Sequence, residues 1–137
     1  MNENIDNLPP PRLIQEPVQF QEVMAAISRQ PILAVDTEAN SLYAYQEQVC
    51  LIKISSPEED YIIDPLALDD LQPLKAMFAD PAIEKVFHAS EYDVNILWED
   101  LGIEIENLFD TMLAARILGW RKLGLDSLLE ERFGIKV

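Results

Sequence analysis

PILAVDTEANSLYAY, the stretch from Pro31 to Tyr45, joins an apolar run to two acids that are two residues apart. Its first part, Ile32–Val35, predicts a buried strand, and Asp36 and Glu38 follow where that strand ends. Because side chains alternate along a strand, both carboxylates point to the same face. Neighbouring carboxylates repel each other unless a positive charge lies between them. The stretch therefore suggests a site for a hard divalent cation, although for three residues taken alone a strand end facing water is the stronger interpretation.

Helices and strands alternate along the rest of the chain. The spacing of Phe20, Val23 and Ile27 predicts a helix over 17–29, and VCLIKIS and YIIDP, separated by the turn signal SPEED, predict a hairpin. Strands alternating with helices imply an α/β fold whose mixed sheet is covered on both faces. The further predicted elements are helices over 68–80, 90–102, 111–120 and 125–134, and strands over 83–89 and 105–110.

The length of 137 residues predicts a single domain. Residues 1–16 are acidic and rich in proline, so we expect a flexible tail there and a folded domain over 17–137. No apolar run approaches the ~20 residues of a membrane span, and the tail lacks the apolar core of a secretory signal. A cytoplasmic protein is the expectation. The single cysteine, Cys50, is expected to be a small buried hydrophobe.

The charge balance is strongly acidic, with 25 acidic against 10 basic residues and a net charge of −15. Taken directly, this net charge argues against nucleic acid as a ligand, because its phosphates favour basic surfaces. Carboxylates are also the ligands that divalent cations prefer, so part of the excess could serve a metal site. A solvated acidic surface accounts for most of these residues. Composition alone does not decide between these interpretations.

A second acidic element is KVFHASEYDVNIL, in which a strand ends at His88 and a helix opens at Ser90. Asp93 lies in the first turn of that helix. The run Ser90-Glu91-Tyr92-Asp93 resembles a capping box, which would give Asp93 a purely structural role. The functional interpretation requires Asp93 to face the strand end that carries Asp36, and ligands do gather at such edges of α/β sheets.

A third acid, Asp110, precedes the predicted helix in FDTMLAARILGW. An acid directly before a helix is typical of an N-cap, whose oxygen accepts backbone N–H groups of the first turn. We therefore predict that Asp110 is the N-cap and that Thr111 begins the helix.

Together, AVDTEANSLYAYQEQVCLIKIS, KVFHASEYDVNILWEDLG and LFDTMLAARILG resemble the ribonuclease D-like 3′–5′ exonucleases of the DEDD superfamily. The resemblance runs from Leu13 to the C-terminus and implies a ribonuclease H-like mixed sheet flanked by helices. It implies that Asp36, Glu38 and Asp93 are three of four catalytic acids holding two divalent metal ions, Mg²⁺ or Mn²⁺. It also implies hydrolysis from the 3′ end of single-stranded nucleic acid, RNA rather than DNA, to nucleoside 5′-monophosphates.

The resemblance also indicates where substrate would bind. The loop after Glu38, with Asn40, Leu42 and Tyr43, would receive the terminal nucleotide, and Leu42 or Tyr43 could stack on it. Either side chain could equally belong to the core. His88, the only histidine, would be a further substrate contact, although a packed or hydrogen-bonded role is the commoner one for a histidine at a strand end.

One part of the family pattern is not found in these 137 residues. The fourth acid comes from a Tyr-x-x-x-Asp helix, and no such motif follows Asp93. Lys53 also follows VCLI where many relatives have glutamine. We expect the C-terminal part of the fold to be missing, because the chain is either a fragment or a nuclease fold that has lost its chemistry. Little or no exonuclease activity is expected of this polypeptide alone.

Two other functions compete with the exonuclease interpretation. One is a non-catalytic module of the same fold that binds nucleic acid or a protein, and the other is a plain α/β domain whose acids are caps and surface groups. Three segment matches in the right order disfavour the plain domain. The oligomeric state is open, because an uncovered apolar surface would favour a dimer. Candidates for a basic strip are Lys53, Lys85, Arg116, Arg121 and Lys122.

Overall fold

Eleven helices and strands follow one another in the computed structural model of the chain, which describes residues 7–40 and 46–137. None of the helices in these ranges has the length and apolar content that a membrane crossing needs. The elements are β1 (Arg12–Ile14), α1 (Pro17–Ile27), β2 (Ile32–Asn40), β3 (Gln48–Ser55), β4 (Asp60–Ile63), α2 (Gln72–Ala79), β5 (Glu84–Phe87), α3 (Ser90–Leu101), β6 (Leu108–Asp110), α4 (Thr111–Ile117) and α5 (Leu125–Phe133).

The strands form one mixed sheet in the order β1-β4-β3-β2-β5-β6. β2, β3 and β4 pair antiparallel, so the predicted hairpin is confirmed. β5 and β6 join the other side of β2 in parallel, each reached through a helix. The carboxyl ends of β2, β5 and β6 therefore meet at one edge of the sheet, which is where ligands bind in α/β folds.

One face of the sheet carries the hydrophobic core. Helix α1 buries Phe20, Val23 and Ile27, which recur at helical spacing, against the inward side chains Leu33 and Val35 of β2. Helices α2 and α3 contribute further buried side chains to the same cluster. The helical period of α1 and the two-residue period of β2 thus point to a common core, and the predicted α/β fold with a mixed sheet is confirmed.

The opposite face of β2 is open in the described residues. Ala34, Asp36 and Glu38 alternate with the buried Leu33 and Val35 and are exposed. Thr111 of α4 and Leu125 of α5 line a cavity together with Ala34 and Asp36 on this side. The two acids lie on the open side.

The first strand was not predicted from the sequence. Arg12–Ile14 lies within the stretch 1–16 that we expected to be a flexible tail, yet it pairs parallel with β4. Ile14 is fully buried, and its carbonyl accepts the N–H of Asp64 at 3.0 Å. Three residues are too few to display a two-residue period in the sequence. This segment forms a strand because it pairs with β4 and buries Ile14.

Lys85 is a buried cation on the core side of β5. Its Nζ donates to the carbonyl oxygens of Asp80 at 2.6 Å and Glu106 at 2.9 Å, and its side chain has no exposed area. Burial lowers the pKa of Lys85, while the negative charges of Asp80 and Glu106 partly offset that effect. Lys85 therefore ties two turns together and does not belong to a basic strip that contacts a ligand.

Lys85→Met keeps the aliphatic length but removes the donors, so two backbone carbonyls lose a buried partner. We expect the free energy of unfolding, measured by urea denaturation, to fall by about 1–3 kcal/mol. Lys122→Met is the matched control, because Lys122 is exposed and contacts only Glu131 among the ion pairs of the described residues. Equal losses in the two variants would contradict the bracing role of Lys85.

Candidate metal centre

The open face of β2 holds a cluster of three charges, formed by Asp36, Glu38 and Lys53. Both acids point to this face, as predicted, with side chains 65% and 55% exposed. Lys53 lies opposite Asp36 in the β2–β3 register. Its Nζ is 3.9 Å from Asp36 Oδ2 and donates a hydrogen bond to Glu38 Oε1. The positive charge that two adjacent carboxylates require is supplied here by a lysine of the same sheet.

The electrostatics of the cluster keep Lys53 charged. The hydrogen bond to Glu38 raises the pKa of the Lys53 ammonium, burial lowers it by a smaller amount, and the charges of both acids raise it further. The sequence drew attention to Lys53 as a replacement for glutamine and as a candidate for a basic strip. Its place beside the two acids was not predicted, since cross-strand register cannot be read from one strand alone.

A β-bulge follows directly after the cluster. The β2–β3 register shifts between Glu38 and Ala39, so that Cys50 has no residue opposite it on β2. Cys50 is half-buried and its thiol contacts the Gln48 carbonyl at 3.6 Å, whereas we expected it to be a buried hydrophobe. Bulges increase local twist, and this one lies at the end of the strand that carries the acids.

Asp93 reaches the same strand from the buried side. It is 7% exposed and accepts a hydrogen bond from the hydroxyl of Thr37, the residue between the two acids of β2. Burial raises the pKa of Asp93, hydrogen bonding to Thr37 offsets part of the rise, and the nearby charge of Asp36 adds to it. Asp93 thus faces the strand that carries Asp36, and its role as a metal ligand stays a prediction.

The capping-box interpretation of Ser90–Asp93 is wrong. Helix α3 has Ala89 at its N-cap with no side-chain cap, and Asp93 bonds to Thr37 instead of turning back to the helix start. Ser90 Oγ donates to Asp110 at 2.9 Å. Tertiary partners on β2 and at the start of α4 therefore replace the local bonds that the sequence suggested.

Asp110 is the N-cap of α4, as predicted, and it also holds the start of α3. Its carboxylate accepts the N–H groups of Met112 and Leu113 at 2.9 and 3.2 Å, and those of Ala89 and Ser90 at 3.1 and 2.8 Å. Ala89 adopts a left-handed conformation with φ 58°, which turns these two amides toward the acid. Burial alone raises the pKa of Asp110, but the hydrogen bonds outweigh it and lower the pKa to about 2.

His88 is fixed by Thr111. The Thr111 hydroxyl lies 2.8 Å from His88 Nδ1 and 3.1 Å from the Phe87 carbonyl oxygen, so it is in hydrogen-bonding distance of both. The hydrogen-bonded role weighed for this histidine is the observed one, and it orients the ring.

A cavity of about 490 Å³ adjoins the charged cluster. Asp36, Lys53 and His88 provide polar groups, and the remaining wall includes apolar side chains such as Val86 and Leu125. A concave, largely apolar space with a few convergent polar groups is the usual form of a site for a small organic group.

The other predicted substrate contacts lie at or beyond the end of β2. Asn40 is the last residue of the strand, is exposed, and lies opposite Gln48 in the register. Leu42 and Tyr43 lie outside the described residues, so their predicted role in holding the terminal nucleotide stays a prediction.

The carboxylates of Asp36 and Glu38 suit a divalent cation in both chemistry and placement. Their oxygens are hard ligands, and both already converge on a single cation, the Lys53 ammonium. Asp93 does not join them at one point: within 7–40 and 46–137, no group of three or more acids, histidines or cysteines is close enough to hold a metal together. The structure thus brings Asp36 and Glu38 together at one cation. The third predicted ligand, Asp93, is hydrogen-bonded to Thr37, the residue between them in the sequence.

Comparison with known proteins gives a consistent result. A sequence family described as 3′–5′ exonuclease matches residues 11–137. Protein RRP6-like 3 of Arabidopsis thaliana is 38% identical over 118 residues, which are 85% of this chain and 13% of that protein. The catalytic core of RRP6 from Trypanosoma brucei superposes with a TM-score of 0.88 and 30% identity, over 93% of this chain and 36% of the other.

A second solved structure is equally similar. RNase D of Escherichia coli, described as an exoribonuclease involved in structured RNA processing, has a TM-score of 0.86 and 30% identity, over 94% of this chain and 35% of that one. The chain therefore spans little more than a third of either solved relative. The ribonuclease D-like fold implied by the three sequence segments is confirmed.

Asp110→Ala removes the bonds that join α3 to α4, and we expect the free energy of unfolding at pH 7 to fall by about 2 kcal/mol. The folded-state pKa lies below the ordinary value of 3.8, so this stabilisation is present above the ordinary pKa and is lost as the pH falls toward about 2. The difference between wild type and variant, measured by denaturant titration, should shrink between about pH 5 and pH 2. Asp69→Ala, at an exposed acid, is the control. A difference that does not change with pH would contradict the account of Asp110.

Proposed function

The chain belongs to the 3′–5′ exonuclease family, and on that premise we propose that it provides the metal-binding part of an exonuclease that shortens RNA from its 3′ end. The observation that carries this proposal is the convergence of Asp36 and Glu38 on one cation at the open edge of the sheet. The cluster borders the cavity that Asp36, Lys53 and His88 line.

Divalent ions bound here, Mg²⁺ or Mn²⁺ and two in number as the resemblance implies, would polarise the scissile phosphate and lower the pKa of the attacking water. Asp36 and Glu38 would hold them. Asp93 is the proposed third ligand, and its bond to Thr37 keeps it beside the same strand end. The hydrogen bonds of Asp110 to Ala89 and Ser90 fix the start of α3 and so position Asp93 three residues further on.

The substrate would lie along the open face. The cavity beside Asp36 offers apolar walls for a base or sugar, and the His88 ring lines the cavity as a polar contact for the substrate. Asn40, Leu42 and Tyr43 are the further proposed contacts. RNA is proposed rather than DNA because RNase D of Escherichia coli, at 30% identity, is described as an exoribonuclease.

The net negative charge of the chain opposes the binding of nucleic acid. A net charge of −15 repels phosphates, and Lys85 is buried and unavailable to offset it. The bound cations would therefore have to attract the substrate as well as activate it. No Tyr-x-x-x-Asp motif follows Asp93 in the 137 residues, so we propose that this polypeptide by itself has little or no exonuclease activity.

A non-catalytic module that binds nucleic acid or a protein is the second candidate. The observation that favours it is Lys53, which already neutralises the two acids without any metal. The candidates differ in whether Asp36 and Glu38 take up a divalent ion and whether RNA is shortened.

Metal binding is tested by calorimetric titration with Mn²⁺. We expect Asp36→Asn and Glu38→Gln each to weaken binding about tenfold or more, because each removes a charged ligand. Asp69→Asn is the matched control, since it removes one exposed negative charge elsewhere and should leave the affinity nearly unchanged. Binding that survives both substitutions on β2 would contradict the proposed site.

Catalysis is tested with single-stranded RNA labelled at its 5′ end. In the presence of Mn²⁺ we expect little or no shortening by this polypeptide alone, and any release of nucleoside 5′-monophosphates to be stopped by Asp36→Asn and by a 3′-phosphate on the substrate. Shortening by the purified chain that Asp36→Asn leaves unchanged would contradict the proposed role of Asp36. RNA binding without uptake of Mn²⁺ and without any shortening would favour the non-catalytic module.

A further inference from the structure

We propose that Lys53 is a built-in counter-ion that competes with the divalent metal for Asp36 and Glu38. The inference rests on the proposed function in one respect, namely that these two acids are metal ligands. It goes further in assigning a role to a residue of the neighbouring strand that belongs to none of the acidic motifs.

The placement of Lys53 is set by the sheet. It lies directly opposite Asp36, and residues so paired have Cβ atoms about 4.5–5.5 Å apart. Its side chain shares the open face with both acids, and its ammonium contacts a carboxylate oxygen of each. Among the ion pairs of the described residues, no other cation contacts Asp36 or Glu38. Lys53 is therefore held by register in the space that a shared metal ion would need.

The consequence for metal binding follows from charge. A divalent ion at this point would meet the Lys53 ammonium within a few ångströms, and like charges at that separation repel even in water. The lysine must therefore withdraw when the ion binds. Its flexible four-carbon stem and its 40% exposed side chain permit that movement into solvent. Metal affinity is thus reduced by the free energy needed to displace the Lys53 ammonium from the two carboxylates.

The same contact has the opposite effect on the metal-free protein. Without a cation, Asp36 and Glu38 on one face of β2 repel each other, and the ammonium relieves that repulsion. Lys53 is expected to stabilise the metal-free fold while it weakens metal binding. A neutral replacement should therefore move the two properties in opposite directions, which a general loss of structure would not do.

The test is calorimetric titration of the full chain with Mn²⁺ and, in parallel, thermal unfolding without metal. We expect Lys53→Gln to bind Mn²⁺ about tenfold more tightly than wild type and to unfold at a slightly lower temperature. Lys53→Met, which keeps the aliphatic stem, is a second neutral variant and should behave in the same way. Lys53→Arg keeps the charge and should bind Mn²⁺ as wild type does, within about threefold.

Lys122→Gln is the matched control for net charge, because it removes one positive charge at an exposed site paired with Glu131 on α5. Tighter binding in this variant by the same factor would assign the effect to net charge and overturn the proposal. So would unchanged or weaker binding in both neutral variants at Lys53.

The failure of this inference is distinguishable from the failure of the proposed function. If wild type binds Mn²⁺, Asp36→Asn abolishes binding, and the neutral Lys53 variants bind as wild type does, only the role of Lys53 is overturned. If no variant binds Mn²⁺, or if binding survives Asp36→Asn and Glu38→Gln, both proposals are overturned together.

Discussion

The two-residue period of β2 is the constraint on which the rest of the structure depends. One strand gives Leu33, Val35 and Thr37 to the core and Asp36 and Glu38 to the open face. A shift of register by one residue would bury both carboxylates and expose the apolar set. The hydrophobic core fixes the register of β2 and therefore also fixes the face on which Asp36 and Glu38 lie. The charged cluster is thus held by a strand of the sheet.

The neighbouring strands bring the remaining groups to the same edge. Because β2, β5 and β6 run parallel, residues at or just after their carboxyl ends, such as Asp110 and His88, meet at one edge of the sheet. Asp110 takes the free amides of two helices at once, and Thr111 orients His88. These bonds are structural, but they position Asp93 and His88, which are proposed to contact metal and substrate. Pre-organisation of this kind reduces what has to be ordered when a ligand binds.

The sequence predicted the periodic elements and the N-cap at Asp110, while the long-range partners became visible only in the structure. Helix α1, the β3–β4 hairpin and the N-cap at Asp110 each follow from a pattern within about a dozen residues. Three features did not: the pairing of β1 with β4, the bond from Thr37 to Asp93, and the placement of Lys53 between the acids. Each depends on a partner far along the chain, which local propensity does not specify. The capping-box prediction failed for the same reason, since Asp93 found a partner on β2.

The most direct test of the metal centre is a crystal structure of the chain grown with Mn²⁺, with the ion located by its anomalous scattering. The predicted result is a peak between Asp36 and Glu38, at about 2.0–2.3 Å from a carboxylate oxygen of each, with the Lys53 ammonium withdrawn from the cluster. A structure at saturating Mn²⁺ in which Lys53 still bridges the two acids, with no peak beside them, would contradict the metal centre and the exonuclease proposal built on it.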